Sequence, residues 1–347
     1  MGTRAGHRRA GWRLAIVLLL AAALAGCEIF TASPFPDYVG SVAADTSVSA
    51  WYDGERGEVF MTAAADIGRN RLFLSIPGGP AGDRMLVYDR NLALEKNWTL
   101  SEINGEIGGS GSLGSRAGFG PAFQPVVGSF FFDTSGGTVT PAFDTSAVAG
   151  VIADPFSEVT GRPDETGDRR FYAFTVNNMA DPTELVIDSY DISLSLQMSE
   201  SAAYQIDGSD EDYRLLQALP LYDGTVDGSD MLFLFGNRDR KLVYLVSIPY
   251  ADLPPDDDPT SPILDNYEAF DIPNVDASRG FLTADGIIVV DEAEDELILH
   301  SFDDDELGRY DVGNAGEMEL AVPLDDEGFY MLDQRRERLY YVLNFWE

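Results

Sequence analysis

Residues 231–246 read MLFLFGNRDRKLVYLV: five apolar residues from Met231 to Phe235, a polar stretch from Gly236 to Arg240, then a second apolar run from Leu242 to Val246. Short runs rich in aromatic and β-branched residues, bounded by Gly, Asn and Asp, read as strands joined in a hairpin. The same unit recurs outward from this one in both directions. On the C-terminal side it is GIIVVDEAEDELILH at 286–300 and GFYMLDQRRERLYYVL at 328–343. On the N-terminal side it is FYAFTVNNMADPTELVID at 171–188, SFFFDTSGGTV at 129–139 and RLFLSIPGGPAGDRMLVYD at 71–89. Asp133, Asn177, Asn237, Asp291 and Asp333 stand where strand gives way to turn. Asx side chains suit that place because they accept hydrogen bonds from backbone amides just ahead and tolerate left-handed geometry.

Anchored at the start of the second strand, the units begin at 84, 138, 184, 241, 296 and 338. The spacing leaves room for four short strands per unit, and repeats of about 40 to 50 residues are the mark of radial β architectures. The chain therefore resembles a β-propeller: all-β, with about six blades of antiparallel strands. Arg214 to Leu221 and Met318 to Pro323 are expected as innermost strands. The last hairpin runs into Phe345-Trp346-Glu347 without an outer strand, and Ser47 to Tyr52 is expected to supply it, closing the ring. An open pair of β-sandwich sheets is the other all-β reading of such hairpins. Neither a Trp-Asp series nor a kelch-type double-glycine series is present, so the likeness is to an architecture. No amphipathic helix is expected.

At the other end of the chain, Arg4, Arg8, Arg9 and Arg13 precede Leu14 to Leu24, a stretch without charge, and Leu24-Ala25-Gly26-Cys27 follows on it. A basic region, a short apolar core and a small-residue cleavage site make a secretory signal. The uncharged stretch falls short of the roughly 20 residues a membrane span needs. Leu-Ala-Gly-Cys resembles the lipobox of bacterial lipoproteins. The resemblance implies cleavage between Gly26 and Cys27 and a diacylglycerol thioether on the Cys27 thiol. The expected organisation is a signal peptide over 1–26, a lipidated tether over 27–44 rich in Pro and small polar residues, and the β domain over 45–347. The protein is then extracytoplasmic and held to a membrane by lipid. Glu28 in place of Asp implies the outer membrane if the envelope is Gram-negative.

Charge and side-chain inventory exclude several functions. With 59 acidic against 23 basic residues the formal net charge is −36, which repels nucleic acid and anionic lipid headgroups alike. The only cysteine is Cys27, and only His300 remains beyond the signal, so zinc, haem and His-based triads lack their ligands. Gly109-Ser-Gly111-Ser-Leu-Gly114 matches GxGxxG, but Pro121 and Pro125 follow where a dinucleotide fold needs a helix, so the stretch reads as a flexible surface loop. No cofactor is expected. Calcium is the one metal with oxygen ligands in number, and Asp303, Asp305, Asp223, Asp227 and Asp230 are its candidates, weighed against plain solvated loops. The sequence thus points to a non-catalytic binding or scaffold protein with an envelope protein as partner. A metal-dependent hydrolase or lactonase working in a propeller channel is the alternative.

Overall fold

The computed structural model describes residues 41–52, 60–64, 71–113, 117–119, 125–134, 139–144, 157–161, 170–191, 197–221, 229–249, 253, 262–283, 286–302, 305–313, 318–321 and 328–343. Its strands form six four-stranded antiparallel meanders. Blade I is β2 (Phe60–Ala64), β3 (Arg71–Ile76), β4 (Arg84–Asp89) and β5 (Leu94–Thr99). Blade II is β6 (Ala117–Phe119), β7 (Pro125–Val127), β8 (Phe130–Asp133) and β9 (Thr140–Asp144). Blade III is β10 (Ser157–Gly161), β11 (Arg170–Asn177), β12 (Glu184–Asp191) and β13 (Gln197–Gln205). Blade IV is β14 (Tyr213–Leu221), β15 (Asp230–Asn237), β16 (Leu242–Pro249) and β17 (Glu268–Pro273). Blade V is β18 (Ala277–Leu282), β19 (Gly286–Asp291), β20 (Glu296–Ser301) and β21 (Glu306–Asp311). Blade VI takes β22 (Met318–Ala321), β23 (Gly328–Asp333) and β24 (Arg338–Leu343) from the C-terminal end, and β1 (Ser41–Ser47) as its outer strand.

By continuous hydrogen bonding there are five sheets, because blades II and III share one. They are joined by a parallel pair between the inner strands β6 and β10, Thr160 opposite Phe119. The first strand of each meander is the inner one: β22, β2, β6, β10, β14 and β18 contact one another in that order. This is the propeller arrangement.

Why the second strands are apolar at every position, rather than alternating, follows from burial on both faces. Phe233 and Phe235 pack toward blade III against Phe174, Leu185 and Ile187, while Leu232 and Leu234 pack toward blade V against Ile287 and Val289. The Phe174 and Phe233 rings meet edge to face at 4.9 Å. β3, β19 and β23 are buried along their whole length in the same way. The core is thus a set of layers between blades, each fed by two sheets.

Three expectations are corrected. The closing strand is β1, Ser41–Ser47, paired antiparallel with β24 from Ser41↔Leu343 to Ser47↔Arg338. It lies upstream of the expected Ser47–Tyr52 and reaches into the stretch read as tether. Val48 and Tyr52 misled because they are buried, but as a tight turn: the Trp51 and Tyr52 amides donate to the Val48 carbonyl at 2.9 and 3.0 Å. In blade II the run at 130–133 is the third strand and pairs onward with the outer strand β9, so the unit is offset by one strand from the others; the expected anchor, Thr138, lies outside the described residues. Finally, a two-turn helix does form, over Leu100–Ile107. Thr99 caps it by accepting from the Glu102 amide at 3.2 Å, and Glu102 accepts from the Thr99 amide at 2.7 Å. Gly108, at φ 67°, closes it in the left-handed region.

Candidate functional site

One face of the ring is built by a repeated turn. In blades IV, V and VI the second strand ends on a buried Asx residue, Asn237, Asp291 or Asp333. Its side-chain oxygen accepts the amide of Arg240 at 3.0 Å, Ala293 at 3.0 Å or Arg336 at 2.9 Å. Four residues after the Asx, the backbone turns left-handed at Lys241 (φ 54°), Asp295 (φ 56°) and Glu337 (φ 51°). The carbonyl freed there accepts the amide of a buried valine just past the blade's outer strand: Val275, Val312 and Val48, at 3.1, 3.0 and 3.0 Å. Blade III makes the same tie from Ile206 to the Thr183 carbonyl, and blade I from Leu100 to the Asp83 carbonyl, both at 3.1 Å. Every such tie pins the exit of an outer strand beside a turn. The connection to the next inner strand therefore runs along this face.

The residue that follows each Asx reaches toward the inner strands. Asn178 donates to the Tyr213 carbonyl at 2.9 Å and accepts from the Tyr213 amide at 3.0 Å, clasping blade III to the start of β14. Arg238 pairs with Asp276, before β18, at 2.9 Å and with Glu292 at 3.2 Å. Glu292 also lies 3.9 Å from Arg279, which pairs with Glu319 of β22 at 2.8 Å. Gln334 donates to Glu319 at 3.2 Å. The result is a ladder of alternating charge across blades IV, V and VI. Burial, together with the nearby Arg238 charge, holds the Arg214 guanidinium below its ordinary value beside it.

A second cluster fixes the corner between blades III and IV. Tyr213, fully buried, donates its hydroxyl to Asp207 at 2.6 Å. Burial works to raise the Asp207 carboxyl, but bonds from Ser209 and Tyr213 and the Arg240 charge outweigh it and leave the group below the usual carboxylate range. Arg240 reaches Asp207 at 3.5 Å and Glu211 at 2.5 Å, and Asn237 donates to Glu211 at 2.7 Å. Burial and the Asp207 carboxylate together push the Tyr213 hydroxyl far up, so it stays a donor.

Of the calcium candidates, only Asp230 and Asp305 fall among the described residues. Asp223, Asp227 and Asp303 lie outside the described residues, as do Gly26, Cys27 and the stretch Phe345 to Glu347. Asp230 opens β15 and accepts from Ser247 Oγ at 3.0 Å; Asp305 is exposed, with its amide on Ser301 Oγ at 3.2 Å. Among the described residues no group of three or more His, Cys, Asp or Glu is gathered as for a metal ion. His300 is buried at the far end of β20 from the ladder, its Nδ1 3.1 Å from the Ser301 carbonyl. The described part of the glycine-rich stretch lies mostly at the surface, as expected of a loop, and is tied down at Gly111. Asn104 donates to the Gly111 carbonyl at 3.1 Å, and a Cβ on Gly111 would meet the Phe130 ring at 2.6 Å.

Sequence reasoning placed Asn177, Asn237, Asp291 and Asp333 where strand gives way to turn, and each ends the second strand of its blade; Asp133, expected with them, ends a third strand, and the residues after the four were missed. Asn178, Arg238, Glu292 and Gln334 share a position and no chemistry, so no repeat of residue type marks them. The position itself, one past the Asx, is the signal that finds them.

No protein-family model and no curated protein matches the chain. Solved structures similar to it are propellers or propeller-like. Virginiamycin B lyase from Staphylococcus aureus matches at 8% identity and TM-score 0.44, over 86% of this chain and 98% of that one. The β-propeller domain of Swd1 from Myceliophteria thermophila matches at 11% identity and TM-score 0.42, over 84% and 97%. The six-bladed fucose-recognising lectin of Aleuria aurantia matches at 9% identity and TM-score 0.42, over 80% and 89%. The propeller assignment rests on this chain's own strand order. Among the described residues no helix is long and apolar enough to cross a membrane.

Proposed function

We propose that this chain is a lipid-anchored, extracytoplasmic binding or scaffold protein of the bacterial envelope. Its propeller would meet a protein partner through the face that carries the Asx turns. The observation that carries the reading is the ladder from Arg238 to Gln334. Its charged groups are held by one another in fixed positions, which suits a rigid recognition surface. Support for the anchor is the Leu24-Ala25-Gly26-Cys27 sequence.

The test is cross-linking in the native cells, followed by purification from solubilised membranes. Wild type is compared with Cys27→Ala and with Asp239→Lys/Glu294→Lys, which reverses charge at two exposed turn tips. The expected result is a stoichiometric envelope protein with wild type, lost or strongly reduced in both variants. Membrane retention of Cys27→Ala would sink the anchor. Undiminished capture by the turn-tip variant would remove this face from the role.

A further inference from the structure

Blade III ends in an outer strand unlike the others. β13 runs for nine residues, QMSESAAYQ, and Gln197 to Ser201 are exposed without a break. An edge strand offers a row of backbone donors and acceptors to any extended chain, and proteins ordinarily blunt such edges with charge, proline or brevity. The other outer strands are blunted in these ways. β21 carries Glu306, Arg309 and Asp311, β5 carries Glu95 and Lys96, β17 ends on Pro273, and β9 has five residues with Pro141. β1 has seven residues and an acid at Asp45. In β13 Glu200 is the only charge and there is no proline; its one irregularity is a bulge at Ser199, and from Glu200 to Gln205 it pairs with β12 in unbroken register. Met198, 58% exposed, adds an apolar side chain at the open end.

Charge decides what the edge would take. On the neighbouring β12, Glu184, Asp188 and Asp191 stand across from Gln205, Ser201 and Gln197 of β13, and the basic residue of that sheet, Arg170, lies on the far side of β12, across from Asp191. A second copy of the chain would bring the same acids against itself. An extended segment with Lys or Arg at alternate positions would instead meet Glu200 and its acidic surroundings while its backbone pairs with β13.

We propose that the exposed edge of β13 is a docking strand for an extended, cationic segment of a partner protein, which adds to blade III as a fifth strand. This surface is separate from the Asx-turn face, and the proposal does not rest on the anchoring.

The probe is a fluorescent nine-residue peptide alternating Lys and Val, titrated into the purified full chain. Two further versions are N-methylated at every second amide, one in each phase, because only half of the amides face the edge. The expected result is saturable binding that at least one methylated version loses by about tenfold or more, with a Glu–Val peptide failing to bind. Ser201→Pro and Ala202→Pro are made separately. Consecutive residues alternate, so one of the two removes an outward-facing amide, and that variant is expected to lose the peptide while melting like wild type. Equal binding by both methylated peptides would mean plain electrostatic adsorption and overturn the proposal, as would no binding of the Lys–Val peptide. A dimer in sedimentation that the same proline variant abolishes would make a second copy the occupant, and would also overturn it.

Discussion

Asp207 gathers more of the corner between blades III and IV than any other side chain, since Ser209, Tyr213 and Arg240 all converge on it. Its carboxyl is held below the ordinary range in the folded chain, so the unfolded chain binds the proton more readily. The stability it contributes is therefore complete above the unfolded value, near pH 4, and is lost as pH falls through the folded value. Asp207→Asn is expected to destabilise the protein by about 1–3 kcal/mol at neutral pH. The gap to wild type should narrow below about pH 4 in denaturant titrations. A gap unchanged at acid pH would mean the loss is one of packing. Two glycines carry a different kind of requirement. Gly286 and Gly328 open the second strands of blades V and VI, and a Cβ on either would stand 2.3 or 2.2 Å from a carbonyl oxygen of the third strand, His300 or Val342. Gly286→Ala and Gly328→Ala are each expected to cost about 1–3 kcal/mol, because backbone rather than a side chain must give way. Equal melting of wild type and variants would show that the strands can part without penalty.

At the scale of elements, β1 joins the two ends of the described chain, and among the described strands it pairs with β24 alone. Removing residues up to Ser47 is expected to leave β24 as an open edge and lower the melting temperature far more than seven surface residues would; a shift of a degree or two would argue against closure. The Leu100–Ile107 helix is a smaller case. Thr99→Ala should destabilise by about 1 kcal/mol through loss of the capping box, with the helix signal in hydrogen exchange opening first. That helix was legible: Thr99-Leu-Ser-Glu102 followed by Gly108 is a start and a stop, outweighed in reading by the surrounding strand signals. The second strands were legible because burial on both faces keeps them almost continuously apolar, and the third strands because each follows in a hairpin, although β12 alternates buried and half-buried positions. The outer strands were not. β13, β21 and β5 expose half or more of their residues, so little in their composition separates them from loops. The closing strand failed for the same reason, its neighbours Val48 and Tyr52 carrying the apolar signal instead.

For the whole molecule, charge balance sets an expectation of its own. An excess of acids giving −36 produces long-range repulsion in the compact state, whereas the ladder pairs are partly exposed and worth about 0.2–1 kcal/mol each. Repulsion is the larger effect, so added salt, which screens beyond about 10 Å at 0.1 M, should raise the melting temperature. A fall on adding salt would mean the ladder dominates. The ring order was readable from repeat spacing, because each repeat has to bury two faces against neighbours. The face that gathers the polar groups was not, because it is made by residues from successive blades that touch only once the ring is formed. Ring closure also has a consequence in time. Ser41 pairs with Leu343, so the first of the described strands waits for the last of them. At synthesis rates of about 5–20 residues per second, that wait is on the order of 15 to 60 seconds. Throughout it β1 has no native partner, and β24, once made, must find it before the inner ring can be sealed. The latch therefore sets a condition on assembly wherever the chain folds: the ring is completed only after the final hairpin is available to β1.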